Sequence, residues 1–485
     1  MTGFVRAVIY PLLVVGLAAS VQAFPTATEP EGTVGLKAKE PEGRARTHVR
    51  LRGAESRIHA MIRREIARAI RAHGQPFDGP GSIPPALLQS IEGKRLIGLG
   101  ESTHGTSELV TMRGNLILAC AKKEQVTVLM EDQYGCFAAI NQWIHGSGGE
   151  GELHGLMSTV FSINNTLEFG DFLTAARAFN AKALPGQGID IYGIDMQVAG
   201  WPANNPIPML RTWCATQGHS LDAALTTASG LVEASANEES LTGLQRSQAR
   251  GAISQILSTI SGANPQTAGW PEAMIAASNL DRFAEVEQAC NANPFSKVFL
   301  NALHESVGDA IAIGIRDAGM AANIKLLLDT KVKGKAFFWG HNAHVGRLSP
   351  LDMFPTGLPS AWTNVGSYLS MWLGDGYAPI AFETGAGSFR AKLLDAAGKL
   401  LPNQTIVAPD LPADAINVIA RSVFNKPVFI KIADLPFMGI KRIEMAAGAF
   451  HAALDPYASE GHTIPGQAYF AVVSFPVSTA TRPMK

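Results

Sequence analysis

The chain has 485 residues, of which 46% are hydrophobic and 17% are charged, and this is the composition of a globular protein. The length suffices for one large α/β domain or for two closely joined units. The net charge of -1 at pH 7 argues against a protein that binds nucleic acid through positive charge, and no stripe of lysine and arginine residues offsets it.

The N-terminus has the pattern of an export signal. The basic residue Arg6 precedes an apolar stretch at 7–20, and Val21-Gln22-Ala23 places small residues where signal peptidase reads them. The stretch is short for a membrane span. We therefore expect residues 1–23 to be a signal peptide and 24–51 a flexible leader. The mature protein is expected to be secreted or periplasmic, with no membrane span.

The first elements of the mature chain follow a simple order. Apolar residues with three-four spacing predict a helix over 54–73. An apolar run at 95–100 is followed by a helix that Thr106 can cap and that extends to about Lys122. A second apolar run, at 126–130, comes directly after it. This order predicts a β-α-β unit with two parallel strands.

The segment 202–290 is rich in Ala, Ser, Leu, Glu and Gln and has no convincing strand. We interpret it as a helical insertion, a common place for a lid or a substrate wall. The other expected elements are helices near 85–91, 153–181, 298–328 and 413–424, strands at 189–194 and 335–340, and strands or a hairpin at 367–373 and 377–383.

Short apolar runs that end at glycine or at a polar cluster are typical of buried parallel strands. We therefore predict an α/β fold over residues 52–485, with a mostly parallel central sheet, helices on both faces and the helical insertion as a cap.

The four cysteines, Cys120, Cys136, Cys214 and Cys290, show no C-x-x-C spacing, which argues against a zinc ribbon or a dithiol redox site. An oxidising compartment would allow one or two disulfides. Cys120 lies on the apolar face of a predicted helix and is interpreted as a small buried hydrophobic residue.

Each of four predicted strands ends on charged or imidazole side chains. In open α/β sheets, ligands bind at the carboxyl ends of the strands. We therefore expect these side chains to meet in one crevice and to form an acid/base active site. They are Glu101 and His104, Glu131 and Asp132, Asp195, and His341 and His344.

Glu101 and His104 are three residues apart in a glycine-flanked loop between a strand and a helix, and the clustering of four strand ends favours a catalytic pair. His104 can take a proton from water while Glu101 fixes its tautomer. The alternative is that Glu101 and Ser102 are turn residues that cap main-chain amides. Arg113 lies in the buried stripe of the next helix, where an unpaired charge would be costly. Its partner would be Glu101, Glu131 or a substrate oxygen. Arg113 would then have a role in the active site, or it would form a structural salt bridge that fastens the helix to the sheet.

The other strand ends leave more alternatives. Glu131 ends an apolar strand, where desolvation raises the pKa of a carboxyl, and Asp132 could equally be the functional residue. Asp195 would orient an imidazole, bind a substrate hydroxyl, or cap a loop. His341 and His344 could be metal ligands, an acid/base pair, or one catalytic and one packing histidine. No H-E-x-x-H motif supports the metal interpretation.

A serine hydrolase is the obvious rival. Ser102 follows Gly100 at the spacing of a nucleophile elbow, but His104 stands where the second glycine is required. No other G-x-S-x-G motif is present. Attack by a water molecule that a general base activates therefore fits better than a seryl intermediate.

Taken together, these motifs resemble the erythromycin esterase family. Their order and spacing over about 85–390 make them specific jointly, even where each is weak alone. The resemblance rests on Gly100-Glu101-Ser102-Thr103-His104-Gly105, Arg113, Glu131-Asp132, Tyr192-Gly193-Ile194-Asp195, Arg316-Asp317, and the run from Trp339 to His344.

The resemblance implies an α/β fold with a helical cap and a deep cleft. It also implies hydrolysis of a macrolide lactone, as in antibiotic resistance, or of another ester, without a serine nucleophile. It makes His104 the essential base. The supporting residues that it implies are Glu101 and Arg113, a second histidine at His341 or His344, and an acidic residue at Glu131 or Asp132.

We therefore expect a hydrolase that cleaves a small-molecule carboxylic ester or lactone, with no cofactor and no metal. The alternatives are a metal- or haem-binding protein and a non-catalytic envelope protein that binds carbohydrate or assists assembly. The expected catalytic residues are His104, Glu101, Arg113, Glu131, His341 and His344, and the expected substrate-binding residues are Asp132, Asp195 and Arg316. The plain alternative for Arg316-Asp317 is an ion pair or a helix-surface feature.

The export signal makes a direct prediction. When the full chain is expressed in a bacterium, the mature protein is expected outside the cytoplasm and to begin at Phe24, because cleavage follows Ala23. N-terminal sequencing of the purified protein measures this. A mature chain that still begins at Met1 would contradict the prediction.

Overall fold

The computed structural model describes residues 42–197, 205–236, 241–292, 307–348, 363–394, 400–440, 442–445, 450–452 and 460–484. The predicted signal peptide lies outside these residues. The chain divides into two units after Ser56, and the fold below is that of the second unit, from Arg57 to Lys485.

Helices and strands alternate along most of the chain. The helices are α1 (Glu42–His73), α2 (Pro85–Ser90), α3 (Ser107–Ala121), α4 (Tyr134–Ile144), α5 (Leu153–Met157), α6 (Leu167–Asn180), α7 (Pro206–Gln217), α8 (Asp222–Ala236), α9 (Gly243–Ser261), α10 (Trp270–Ala292), α11 (Val307–Thr330), α12 (Asn342–Val345), α13 (Val365–Leu373), α14 (Ile416–Val423) and α15 (Pro465–Ala468). The strands are β1 (Gln75–Pro76), β2 (Leu96–Glu101), β3 (Gln125–Gln133), β4 (Gly188–Asp195), β5 (Lys335–His341), β6 (Tyr377–Thr384), β7 (Ser388–Leu394), β8 (Leu400–Val407), β9 (Val428–Lys431), β10 (Arg442–Met445), β11 (Phe450–Ala452), β12 (Glu460–Thr463) and β13 (Ala471–Phe475).

The central sheet has eight strands in the order β1-β9-β13-β6-β2-β5-β3-β4. The strands from β13 to β4 are parallel to one another, while β9 and β1 add an antiparallel edge. Two small sheets, β10-β12 and β11-β7-β8, lie outside it. The predicted α/β class with a mostly parallel sheet is confirmed.

Helices cover both faces of the central sheet, as predicted. Consecutive residues of a strand point to opposite sides of the sheet, so a strand of apolar residues needs cover on both faces. Phe337 and Trp339 of β5 pack with helices α3, α4 and α6, whereas Phe338 between them packs with α11 and α13. The predicted helical insertion contains α7 to α10 and no strand among its described residues, and these helices share a hydrophobic core of their own.

Three details differ from the sequence-based expectations. Strands β2 and β3 are parallel but not neighbours, because β5 inserts between them and pairs with both. Residues 367–373, expected as a strand, lie in helix α13, which Asn364 caps by accepting a hydrogen bond from the Ser367 amide. Helix α1 begins at Glu42, inside the segment expected to be a flexible leader.

Two further findings concern disulfides and membrane spans. Cys120, expected as a buried hydrophobic residue, is buried and makes no disulfide, and Cys214 is likewise buried without one. Among the described residues, no helix is both long enough and apolar enough to cross a membrane.

Gly105, just after β2, tests how tightly this edge of the sheet is packed. A Cβ atom at Gly105 would lie 1.9 Å from the Arg390 main-chain oxygen, whereas one at Gly155 in helix α5 would meet nothing within 4 Å. Gly105→Ala is expected to lower the free energy of unfolding by about 3 kcal/mol or more, because backbone must move. The matched control Gly155→Ala is expected to raise it by about 0.5–1 kcal/mol. Urea unfolding measures both, and equal stabilities would contradict the close approach.

Candidate active site

The parallel strands end at one edge of the sheet, and this edge collects the polar residues. Glu101 and His341, at the ends of β2 and β5, are direct partners across the strand pair. Glu131 lies near the end of β3 and Asp195 ends β4. All four side chains are buried, so their charges must be balanced within the protein.

Glu101 holds His104 on one side and Arg113 on the other. His104 Nδ1 lies 2.9 Å from Glu101 Oε1, and Arg113 Nη2 donates to Glu101 Oε2. A carboxylate accepts only, so Nδ1 of His104 carries a proton, and in the neutral ring the lone pair is then on Nε2. The sequence alternative in which Glu101 is only a turn residue is therefore wrong.

Arg113 lies beneath this pair and has no exposed surface. Its Nε and Nη1 donate to the carbonyl oxygens of Leu109 and Leu99, and its guanidinium lies 4.2 Å from the centre of the Trp339 ring. Of the two interpretations, the buried salt bridge describes this geometry, because the guanidinium reaches Glu101 but no open surface. Arg113 positions the carboxylate that positions His104.

His341 faces His104, with ring centres 5.0 Å apart. Its Nδ1 accepts a hydrogen bond from the Ala343 amide at 3.2 Å, so the proton of the neutral ring lies on Nε2. Nε2 is buried and has no partner at normal hydrogen-bond geometry among the described residues, although the main chain of Ser102 also interacts with the ring. Burial, together with the neighbouring His104, lowers the pKa of His341 to about 3, so the ring is neutral near pH 7.

His344 has the opposite environment, although it is only three residues away. Its Nδ1 lies 3.0 Å from Asp317 Oδ2 and its Nε2 lies 3.2 Å from Glu131 Oε1. Burial would lower the pKa of His344, but Asp317 and Glu131 outweigh it and raise the pKa to about 10. The charged form of His344 is therefore favoured near pH 7, although Arg316 Nη1 also lies 3.2 Å from Nε2.

Glu131 is the centre of the second half of the site. Its Oε1 accepts from Arg316 Nη2 at 2.9 Å and its Oε2 accepts the His341 main-chain N–H at 2.7 Å. Burial would raise the pKa of Glu131, but His344 and Arg316 hold it well below its usual range. The raised pKa expected from the sequence is wrong, because two cations neutralise the buried carboxylate.

Asp195 and Asp132 have different neighbours. Asp195 accepts from Arg316 Nη2 at 2.6 Å and from the Gln197 side chain at 2.9 Å, which fixes the guanidinium that also holds Glu131. Asp132 instead accepts from the Phe161 amide at 3.1 Å and from Asn164 Nδ2 at 2.7 Å. Burial raises the pKa of Asp132 to about 7. Asp132 thus fastens the segment between α5 and α6 and makes no contact with the histidines.

The structure brings together eight of the nine predicted site residues, all except Asp132. It also adds Asp317, which the sequence interpretation left as an ion pair with Arg316 or a helix-surface feature. That alternative is wrong, because Asp317 is fully buried and pairs with His344. Arg316 and Asp317 both lie on α11 and both contact residues at the sheet edge, and the signal that could have found Asp317 is its position next to Arg316.

No group of three or more His, Cys, Asp or Glu side chains among the described residues is arranged to hold a metal ion. The imidazole nitrogens of His344 and the Nδ1 atoms of His104 and His341 are already engaged in hydrogen bonds.

The fold and the edge of the sheet define an α/β protein with a cluster of carboxylates, guanidinium groups and imidazoles at the carboxyl ends of its strands. The sequence model of the erythromycin esterase family matches residues 121–475, which is well over half of the chain. The chain belongs to the erythromycin esterase family, as the motifs had indicated. Membership supports a hydrolase of the esterase type.

Three solved structures share the fold. A protein from Bacillus cereus has a TM-score of 0.69 at 19% sequence identity, over 87% of this chain and 99% of that one. A succinoglycan biosynthesis protein has a TM-score of 0.68 at 17% identity, over 88% and 99%. A histidine-to-asparagine variant of erythromycin esterase EreC in its open conformation has a TM-score of 0.63 at 15% identity, over 85% and 99%. No curated protein matches the chain.

The charge state of His344 makes the stability of the protein depend on pH. An unfolded histidine has a pKa of about 6.5, whereas the pKa of folded His344 is raised to about 10. The stabilisation is therefore complete below about pH 6.5 and is lost as the pH rises towards 10. We expect the free energy of unfolding to fall between pH 7 and pH 9, and Asp317→Asn to flatten this fall.

Urea unfolding at a series of pH values measures the slope, and NMR titration of the histidine rings measures the pKa directly. The exposed residue His154 provides the control, since His154→Ala should leave the slope unchanged. An imidazole of His344 that loses its proton near pH 6.5 would contradict the assignment.

Proposed function

We propose that this protein hydrolyses a carboxylic ester or a lactone, with His104 as the general base that activates water. The observation that carries the proposal is the pairing of two unlike imidazoles 5.0 Å apart. His104 offers a lone pair on Nε2, and His341 offers an N–H that has no partner at normal hydrogen-bond geometry among the described residues. A base and a hydrogen-bond donor that face one small space are what water attack on a carbonyl requires.

His341 is the donor in this proposal. A neutral ring whose Nδ1 accepts from the Ala343 amide has its proton on Nε2, directed away from that amide. A donor in a buried site stabilises the negative charge that develops on a carbonyl oxygen more strongly than it would in water. His344 is not available for either role, because both its nitrogens hold carboxylates.

In the proposed reaction, Nε2 of His104 takes a proton from water while the water oxygen bonds to the ester carbonyl carbon. His341 donates to the oxygen of the resulting tetrahedral intermediate. The bond from that carbon to the alcohol oxygen then breaks, and His104 returns the proton to the departing alkoxide. The products are a carboxylic acid and an alcohol, which remain one molecule when the substrate is a lactone.

Glu101 and Arg113 act through His104. The Glu101 carboxylate holds the ring by Nδ1 and stabilises the imidazolium that forms after proton transfer. Arg113, buried below, forms a salt bridge with Glu101 that holds the carboxylate in place. On the other side, a network of hydrogen bonds and ion pairs fixes the main chain at His341. Its members are Glu131, His344, Asp317, Arg316 and Asp195.

The proposed substrate class follows from the family name, and macrolide lactones are candidates within it. One solved neighbour of the fold is named for erythromycin ester cleavage and another for succinoglycan biosynthesis, so the fold alone does not choose the substrate. We propose that helices α7 to α10 form the wall that selects the substrate. We also propose that the enzyme works outside the cytoplasm, after removal of the export signal.

Replacement of the base tests the mechanism. His104→Asn is expected to lower kcat by about 100- to 10,000-fold, because general-base catalysis is lost. His341→Asn is expected to lower kcat by about 100-fold or more, because the oxyanion loses its donor. The measurement is product release from a panel of esters and lactones, macrolides included, read by mass spectrometry.

The control is His154→Ala, which removes an exposed imidazole of helix α5 and should leave kcat unchanged. Circular dichroism of each variant checks that the fold is retained. Full turnover by a folded His104→Asn variant would remove the central assignment.

A further inference from the structure

The last described residues of the chain, 476–484, run along the loop that carries the proposed general base. This loop joins β2 to α3. Ala480 forms an antiparallel bridge with Thr106 in the loop, and Pro483 forms another with Thr166, the residue before α6. We call residues 476–484 the C-terminal segment. It contacts the chain at the start of two helices, and one of these helices follows directly after the loop.

The main chain just after His104 is held by hydrogen bonds from distant parts of the sequence. The Gly105 carbonyl oxygen accepts from the Thr481 amide and from an amide of strand β7, both at 2.9 Å. The Ser107 amide, the first of helix α3, donates to the Thr479 carbonyl oxygen at 2.9 Å. The C-terminal segment thus makes a main-chain hydrogen bond on each side of Thr106.

Helix α3 depends on this contact for its first N–H group. Thr106 precedes the helix, but its side chain makes no capping hydrogen bond, contrary to the expectation from the sequence. Its hydroxyl instead contacts the Thr103 hydroxyl. The first N–H groups of a helix have no partner within the helix. The Thr479 carbonyl oxygen supplies the partner for Ser107, so the C-terminal segment fixes where the helix after the loop begins.

Two glutamates fasten the C-terminal segment. Glu108, in the first turn of α3, accepts from the amide and the hydroxyl of Thr479, both at 2.8 Å. Glu168, in the first turn of α6, accepts from the amide and Nε of Arg482, both at 3.1 Å, and is only 5% exposed. A carboxylate is stabilised near a helix N-terminus by the helix dipole. The segment is therefore held on both sides of Thr481, the residue that contacts the loop.

We propose that the C-terminal segment positions His104, and that Glu108 and Glu168 are positioning residues that act through it. This inference rests on the proposed role of His104 as the base. The ring is held at Nδ1 by Glu101, but its other end is attached to the loop that the segment holds. A base must be held close to its productive place, since a displacement of about 1 Å can cost about 100-fold in rate.

A spectroscopic measurement that needs no substrate tests the proposal. The ring N–H of His104 donates to a buried carboxylate, so we expect it to be protected from exchange with water and to give a separate proton NMR signal. The signal is identified by its absence in His104→Asn. In Glu108→Ala/Glu168→Ala we expect this signal to broaden or disappear, because the loop is released. The ring N–H signal of His344 should remain, since no contact of His344 involves the segment.

Matched variants separate positioning from general loosening. Glu108→Gln/Glu168→Gln keeps an acceptor oxygen at each position and should retain the signal of His104. Glu92→Ala removes an exposed glutamate that pairs only weakly with Lys123, and it should retain the signal as well. Circular dichroism checks each variant, and Glu108→Ala alone serves if the double variant does not fold. An unchanged His104 signal in the folded alanine variant would overturn the proposal, and so would equal loss of the His344 signal.

Kinetics provide the second readout. We expect kcat of Glu108→Ala/Glu168→Ala to fall by about 10- to 100-fold with KM little changed, and the glutamine variant to recover most of this loss. The two proposals fail in different ways. A wild type with the His104 signal but no turnover of any ester or lactone contradicts the proposed function alone. Normal turnover in the wild type, with an unchanged His104 signal in the alanine variant, contradicts the role of the C-terminal segment alone.

Discussion

The candidate site depends on the neutralisation of one buried carboxylate, that of Glu131. It lies near the end of a central strand, where burial alone would favour its protonated form. Arg316 and His344 keep it ionised from one side, and its other oxygen accepts the main-chain N–H of His341. A single charge thus fixes both the cationic half of the site and the peptide unit that carries the proposed oxyanion donor. Loss of either cation would remove part of the compensation of this buried charge next to His341, and Asp195 and Asp317 hold those cations in turn.

Sequence reasoning identified the strand ends because their chemistry is local. A run of apolar residues that stops at Glu101 or His341 marks both a buried strand and its polar end, whatever the strand pairs with. The order of the strands could not be found in this way, since β5 pairs with β2 and β3 across more than two hundred residues of chain. The interpretation of 367–373 as a strand failed for a related reason. Its apolar residues suit either element, and the choice was made by Asn364, whose side chain caps the helix.

The same limit applies to the candidate site. The sequence placed His341 and His344 together but could not separate their roles, because the two states are set by residues from other elements. Asp317 lies on α11 and Glu131 on β3, and only the fold brings both to His344. Similarly, the burial of Arg113 over Trp339 decides between its structural and substrate-binding interpretations, and no pattern of spacing contains that contact. Charge states of buried groups are a property of the packed interior rather than of the motif.

The three histidines of the candidate site differ in the number of carboxylates that each imidazole contacts. His344 contacts two, so its charged form is favoured near pH 7. The His341 ring contacts none and accepts an amide N–H, so it stays neutral and keeps one N–H to donate. His104 contacts one carboxylate, through Nδ1, and its Nε2 contacts none. The three rings therefore differ in the contacts that the fold gives them, and these contacts support the proposal of His104 as the base as much as its place in the motif does.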